Sequence, residues 1–523
     1  MKVTKDQIAR DLRALGLENG DVVLMHSALS ALGEVEGGAD AVIDAILEVI
    51  GKEGTLAMPT MSSGVFRRES TPSNVGRITE VFRQRPGVLR SLHPTHSVAA
   101  IGPQASFLLK DHELSPTAVG PETPFGRLVE LRGKVLLLGV DQDRNTLLHG
   151  AEEAVNAPYL SEHYATYIDD DGKEVTLRLE RYPGPHRDFI GLEPRFRRAG
   201  WLRVGKVGRA TARLMPAREM FEETVAALRE DPAAVLCDNP ACDDCQMQRG
   251  KIKAARLQQE EFTLAAVLDD PAAKLADVAR SLRAQGIRHV EIGDTLGDYL
   301  LRRRLTEIQA FGDNLRDEGL VVSAFGAGLG RVTPGEDQEF HYRRFEKSLE
   351  VLPRLGTQRL RMAALLAGDD RQSATPGVVA LLQAAARAAS ERNAVLVVEN
   401  EPGTFCDTAR HTEEILTAAG SPAVRVAFNP AHFAAVGDKP FLRVYYKGRI
   451  KRWMDQLYIC DGLWDGTPTL PGRGNGEVKE LISILRCRGF RGFFTLRPTT
   501  RGRFDPERLR EEAERFWFLL DHC

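Results

Sequence analysis

Two rhythms of apolar and polar positions alternate along this chain. Short apolar runs stop at a glycine or a polar loop, and stretches with apolar residues at helical spacing follow them. Residues 135–152, VLLLGVDQDRNTLLHGAE, show the pattern most clearly. The apolar residues 135–138 predict a buried strand ending at Gly139. After a polar loop, Asn145 and Thr146 are placed to cap a helix that opens Leu147-Leu148-His149. Upstream, the strand DVVLMHS leads through His26-Ser27-Ala28-Leu29-Ser30 to Gly33, Gly37 and Gly38. Residues 54–60, GTLAMPT, are expected to follow another strand, and residues 89–102 form a third cluster. The opening MKVTKDQIARDLRALGL has the spacing of an amphipathic helix and lacks the apolar core of a signal peptide.

A boundary falls over residues 226–260. A helix there gives way to a turn rich in Cys, Asp and Asn, then to a charged, helix-prone connector. Beyond it the strand–helix rhythm becomes regular. Apolar strands begin near 262, 289, 321, 360, 394, 424, 456 and 493, each separated by an amphipathic stretch. Eight such units over about 260 residues are the length and rhythm of a (β/α)8 barrel. The reading is an α/β chain of two domains, residues 1–250 and 261–523.

Composition narrows the partners. A chain of 523 residues is too long for one core. A formal net charge of −3 gives no bulk attraction to nucleic acid or anionic membranes, and no apolar run approaches a membrane span. The odd count of seven mostly scattered cysteines fits a reducing cytoplasm. A homo-oligomer is compatible with all of this.

The candidate chemistry centres on His149, near the start of a helix just past a core strand, where open α/β sheets place their sites. Glu152 lies three residues on, along the same helical face, where a carboxylate orients an imidazole and raises its basicity. The alternative is a surface His–Glu pair. Glu153, turned about 100° away, faces a cationic substrate or plain solvent. Cys237, Cys242 and Cys245 form C-x4-C-x2-C. Only three ligands are local and a structural zinc needs four, so reduced cysteines in a packed turn are expected and no metal ligand is assigned.

Taken in order, the segments at 26–38, 54–60, 89–102 and 135–152 resemble the aminoglycoside 3-N-acetyltransferase (antibiotic acetyltransferase) family over residues 1–250. The resemblance implies that family's α/β fold, acetyl transfer from acetyl-CoA to an amine of an aminoglycoside, amino sugar or related compound, and antibiotic resistance as its usual role. It implies His149 as general base oriented by Glu152, with Thr146 near the reacting carbonyl. It further implies that His26, Ser27 and Ser30 cradle the CoA pyrophosphate and pantetheine, and that Arg90, His93, His96 and Ser97 lie along the acetyl-CoA channel. Arg90 then meets a CoA phosphate, or else a surface carboxylate.

Residues 261–522 resemble the xylose-isomerase-like sugar isomerase and epimerase barrels through Glu399-Asn400-Glu401-Pro402, Asn429-Pro430-Ala431-His432 and the last strand ending at Arg497. That family holds a divalent metal at the strand ends. Here Glu399 and His432 match its ligands, while Asn429, Tyr458 and Arg497 replace three others and Cys460 replaces a nearby lysine. The metal site therefore reads as degenerate, and Arg497 suits an anion. Two alternatives to the transferase remain at this point: metal-dependent sugar isomerisation through the barrel, or a non-enzymatic module binding a sugar or an anion.

Overall fold

The computed structural model describes residues 2–182, 184, 186–500 and 502–523. The chain forms two units, Met1–Ile252 and Lys253–Cys523. The division falls inside one helix, Asp243–Leu257.

The first unit is built on a seven-stranded sheet. In chain order its strands are β1 (Val22–Ser27), β2 (Thr55–Pro59), β3 (Leu89–Arg90), β4 (Val98–Ile101), β5 (Lys134–Leu138), β6 (Arg203–Val207) and β7 (Ala210–Pro216). Their order across the sheet is β3-β4-β2-β1-β5-β7-β6. The three central strands, β2, β1 and β5, run parallel; β4 and β7 beside them run antiparallel, and the edge strands β3 and β6 are antiparallel in turn to β4 and β7. Side chains alternate between two buried faces. Val23, Met25, Leu136 and Leu138 pack against helices Lys5–Leu15 and Gly38–Ile50, while Leu24, Val135 and Leu137 join Phe125, Leu147 and Leu148 on the other face. One expectation needs correction. Residues 54–60 do not follow a strand: Thr55–Pro59 is itself the central strand β2, buried at all five positions. Gly139, with φ of 74°, turns the chain sharply out of β5, where a Cβ would sit 2.5 Å from the Ala31 Cβ.

The second unit is a closed barrel of eight parallel strands: β8 (Thr263–Leu268), β9 (His289–Ile292), β10 (Val321–Gly326), β11 (Arg359–Ala363), β12 (Val395–Glu399), β13 (Val424–Phe428), β14 (Met454–Tyr458) and β15 (Phe493–Leu496). Thr263 pairs with Phe493 to close it. Period-two alternation sends Val290, Ile292, Leu360, Leu396 and Val398 outward to the helices. The same alternation turns Glu291, Arg361, Glu399, Gln456, Tyr458 and Thr495 inward, all of them buried. The lumen is therefore polar where barrels of this kind are usually filled by branched apolar side chains.

Candidate active site

The C-terminal ends of β1, β2 and β5 open into one cleft of about 1100 Å³. Residues 25–30 leave β1 into it, Pro59, Met61 and Ser62 leave β2, and residues between Val140 and His149 leave β5. Parallel strands carry their chains out at this edge, and the loops there are free to hold a ligand.

The helix Leu147–Ala154 carries His149 to the cleft. Its other faces are buried. A Cβ on Gly150 would lie 2.7 Å from the Val119 carbonyl oxygen, so glycine alone fits there. His149 Nδ1 donates to Glu152 Oε2 at 2.6 Å, which makes Nε2 the ring's acceptor nitrogen, on a side chain that lines the cleft. The other oxygen of Glu152 accepts from the buried Arg187 guanidinium, itself stacked over the Tyr159 ring at 4.7 Å. Burial opposes charge on Glu152, but His149 and Arg187 outweigh it and hold the carboxyl below its ordinary range.

Two local expectations are overturned. Neither Asn145 nor Thr146 caps the helix through its side chain. A 3-10 turn, Gln142–Arg144, leads Thr146 into the helix with φ of −59° and ψ of −29°. The first N–H groups then meet backbone carbonyls: Leu148 N–H donates to Asn145 and His149 N–H to Thr146. The Asn145 amide instead donates to Gln142 Oε1 at 3.0 Å. Thr146 still lines the cleft. Glu153 is not a surface residue either. It is buried, accepts from the Val119 N–H at 3.3 Å, and is pushed up to about 7 by burial.

The remaining sequence candidates divide in two. His26, Ser27, Ser30 and His96 line the cleft with His149 and Thr146. Burial pulls His26 and His96 down to about 3, so both imidazoles are neutral at physiological pH. His26 Nε2 is buried with no partner among the described residues.

Arg90, His93 and Ser97 are not among the cleft-lining residues. Among the described residues Arg90 is hydrogen-bonded to no carboxylate. Its guanidinium donates to the carbonyls of Thr60, Arg68 and Thr71 and to Ser97 Oγ, over the Phe66 ring. Ser97 Oγ donates to the Thr60 carbonyl at 2.8 Å. His93 Nδ1 accepts the His96 N–H at 2.9 Å, and its ring stacks on His112 at 4.2 Å. These three brace the wall behind the cleft. The sequence reading missed Arg187, and it missed Arg77, Asp143, Arg144 and Tyr182, which also line the cleft.

The barrel mouth is arranged differently. Arg361, fully enclosed, reaches Glu291 at 2.7 Å, Asp294 at 2.6 Å and Glu399 at 3.1 Å. Arg497 meets the other oxygen of Glu399 at 2.9 Å and lies over the Tyr458 ring at 4.6 Å. Asn429 donates to that same oxygen at 2.9 Å. His432 Nδ1 is bonded to the Asn400 carbonyl at 2.8 Å. Burial opposes the Glu399 charge, but Arg497 and Arg361 overcome it and bring the carboxyl down to about 2. Two guanidinium groups thus take up the carboxylate that would bind a divalent ion, and a cation there would be repelled by both. These residues do not fit the metal of the isomerase family.

Comparison with known proteins agrees with this division. A family model described as aminoglycoside 3-N-acetyltransferase matches residues 24–229, and one described as xylose isomerase-like TIM barrel matches residues 279–519. The chain is 35% identical over 268 residues to aminoglycoside N(3)-acetyltransferase VII of Streptomyces paromomycinus, covering 44% of this chain and 92% of that protein. It is 35% identical over 246 residues to the SPbeta prophage-derived aminoglycoside N(3')-acetyltransferase-like protein YokD of Bacillus subtilis, covering 42% and 90%. Among solved structures, the apoenzyme of aminoglycoside acetyltransferase AAC(3)-IVa is 31% identical with a TM-score of 0.45, over 48% of this chain and 98% of that one. Through its first unit, with a xylose isomerase-like TIM barrel following, the chain belongs to the aminoglycoside 3-N-acetyltransferase family and is an acyltransferase.

Proposed function

We propose that the first unit transfers acetyl from acetyl-CoA to an amine of an aminoglycoside or related aminocyclitol, with His149 as general base. The observation that carries this reading is the chain Arg187–Glu152–His149, which ends at the C-terminal edge of three parallel strands in an imidazole nitrogen with no partner among the described residues. Nε2 accepts a proton from the acceptor nitrogen as that nitrogen attacks the thioester carbonyl. The carbon–sulfur bond then breaks, and the CoA thiolate leaves and takes up a proton. Glu152 fixes the tautomer and stabilises the imidazolium formed on the way. The Thr146 hydroxyl, on the cleft wall, is our candidate donor to the developing oxyanion.

The donor belongs at the end of the cleft formed by Ser27, Ser30, Gly38 and Arg77. The helix Gly38–Ile50 begins there without a side-chain cap; the Gly38 N–H meets the Val35 carbonyl, and the N–H groups of Ala39 and Asp40 are those left for phosphate oxygens. Asp143, also on the cleft wall, supplies a carboxylate for an acceptor carrying several ammonium groups. None of the seven cysteines is in a disulfide, which suits the reducing cytoplasm where we place the protein. No helix among the described residues is long and apolar enough to cross a membrane.

The test is acetyl-CoA-dependent thiol release with a panel of aminoglycosides and simpler amines. Stoichiometric CoA and N-acetylated product are expected. Absence of acetyl-CoA binding to the full-length protein at millimolar concentration, by calorimetry, overturns the reading.

A further inference from the structure

We propose that His186, Cys237, Cys242 and Cys245 form a structural zinc site of the first unit. The sequence shows three cysteines, and the fold supplies the fourth ligand from 51 positions upstream of Cys237. One donor atom from each of the four residues lies within 4.8 Å of the others. Among the described residues, no other grouping of at least three His, Cys, Asp or Glu side chains is so arranged. A tetrahedral zinc with bonds of about 2.3 Å to sulfur sets its sulfurs about 3.8 Å apart, so the donors need only draw in slightly. Three thiols and an imidazole are the ligand set of a closed structural site, with no position left for water or substrate. On binding, the three thiol protons pass to solvent, and four bonds, three Zn–S and one Zn–N, form.

The surroundings fit an anionic cluster. Zinc with three thiolates and a neutral imidazole carries one negative charge. The Arg249 guanidinium stands beside it, held by the carbonyls of Leu236 and Cys237 and by Asp238. Cys245 sits buried in the first turn of helix Asp243–Leu257, and Cys242 lies just ahead of that turn. The two segments that bring the ligands are already joined once, by the Asp188 N–H on the Val235 carbonyl at 2.8 Å. The ion would add a second staple. Its consequence lies next door: Arg187, whose guanidinium also binds the His186 carbonyl at 2.9 Å, is the residue that holds Glu152. Zinc at this place anchors the loop that supports His149.

The experiment is metal analysis of the full-length protein, purified without chelator. One equivalent of zinc per chain is expected, and it should leave in step with modification of three thiols by an organomercurial. Exchange for cobalt should give thiolate-to-cobalt charge-transfer bands and the strong visible absorption of tetrahedral geometry. Cys242→Ser should lose the zinc, whereas His186→Cys, which keeps four ligands, should retain it. Should Cys242→Ser not fold, the coincidence of zinc and thiol release in the unaltered protein decides the matter. Absence of stoichiometric zinc, zinc retained in Cys242→Ser, or zinc released without the three thiols overturns the proposal. None of these readouts depends on acetyl transfer, so a failed activity assay leaves this test intact.

Discussion

Both units gather histidine, carboxylate and arginine side chains at the C-terminal ends of parallel strands, yet the two gatherings differ in what they leave unpaired. In the first unit one arginine holds one carboxylate, the carboxylate holds one imidazole, and Nε2 of that imidazole faces a cleft. In the barrel the arginines end the chain of contacts. Arg361 and Arg497 converge on Glu399, and Arg361 also takes Glu291 and Asp294. The inventory of residue types is similar, and the order in which charges are paired decides what chemistry is left. An imidazole at the end of the chain is a base, whereas guanidinium groups at the end close the site to a cation.

The largest expected effect tests the open end. His149→Ala should lower turnover roughly 10²- to 10⁴-fold, the usual contribution of a general base, with acetyl-CoA affinity nearly unchanged. Steady-state rates with calorimetric binding check this, and near-full rates in the variant would break the contrast. In the barrel the matching blow is to stability. Arg361→Met strands the buried carboxylates of Glu291 and Glu399 and the half-buried Asp294 with only partial compensation, at a cost of about 3–5 kcal/mol. Tryptophan fluorescence follows it well, because Trp453, Trp464 and Trp517 lie in the second unit and only Trp201 in the first. An unchanged denaturation midpoint for that signal would mean that the ion pairs are idle.

Acidification sharpens the same contrast. The folded pKa of Glu399, about 2, lies below its ordinary 4.5. The stability it contributes is complete above pH 4.5 and is lost as pH falls toward 2, in total on the order of 3 kcal/mol. Urea denaturation read by tryptophan fluorescence between pH 5 and pH 3 should show stability falling, and Glu399→Gln should flatten that slope. Equal slopes in the two proteins would refute the assignment. Smaller again is Glu152→Gln. The imidazole keeps a hydrogen-bond partner but loses the charge that stabilises imidazolium, so turnover should fall roughly 10- to 100-fold, less than for His149→Ala. A loss in KM alone would place Glu152 in substrate binding.

The legible parts of this molecule are those with a period. The eight barrel strands follow from alternation and spacing, and the His149–Glu152 contact follows from three residues on one helix face. Asn429 and Arg497, singled out in the sequence as replacements for metal ligands, are both bonded to Glu399 in the fold. Contacts made by loops were not legible. Arg187 lies in a segment with no periodicity, and only folding shows that it reaches Glu152. The same loop hides His186 from the three cysteines. Arg361 shares its strand with Arg359, and nothing in the run RLRMA marks it as the one the pleat turns into the barrel and buries. Residues 54–60 misled because a strand buried on both faces lacks alternation. The capping role given to Thr146 failed because the preceding 3-10 turn already supplies carbonyls to the helix start.

The smallest expected effect separates the two histidines. His432 matches an isomerase ligand by sequence, as His149 matches the transferase base, so a reading by residue type alone would rank them equally. Their hydrogen bonds do not. His149 gives Nδ1 to a carboxylate that is itself held by a guanidinium. His432 Nδ1 is spent on the Asn400 carbonyl, and the nearby Glu399 is already taken by Arg361, Arg497 and Asn429. His432→Ala should therefore leave kcat and KM for acetyl transfer within about twofold, and should lower stability by about 1 kcal/mol for one lost hydrogen bond. Steady-state kinetics and denaturant titration on the same preparation check both. A fall in kcat as large as that of His149→Ala would tie the barrel to the chemistry and end the contrast between an open site and a closed one.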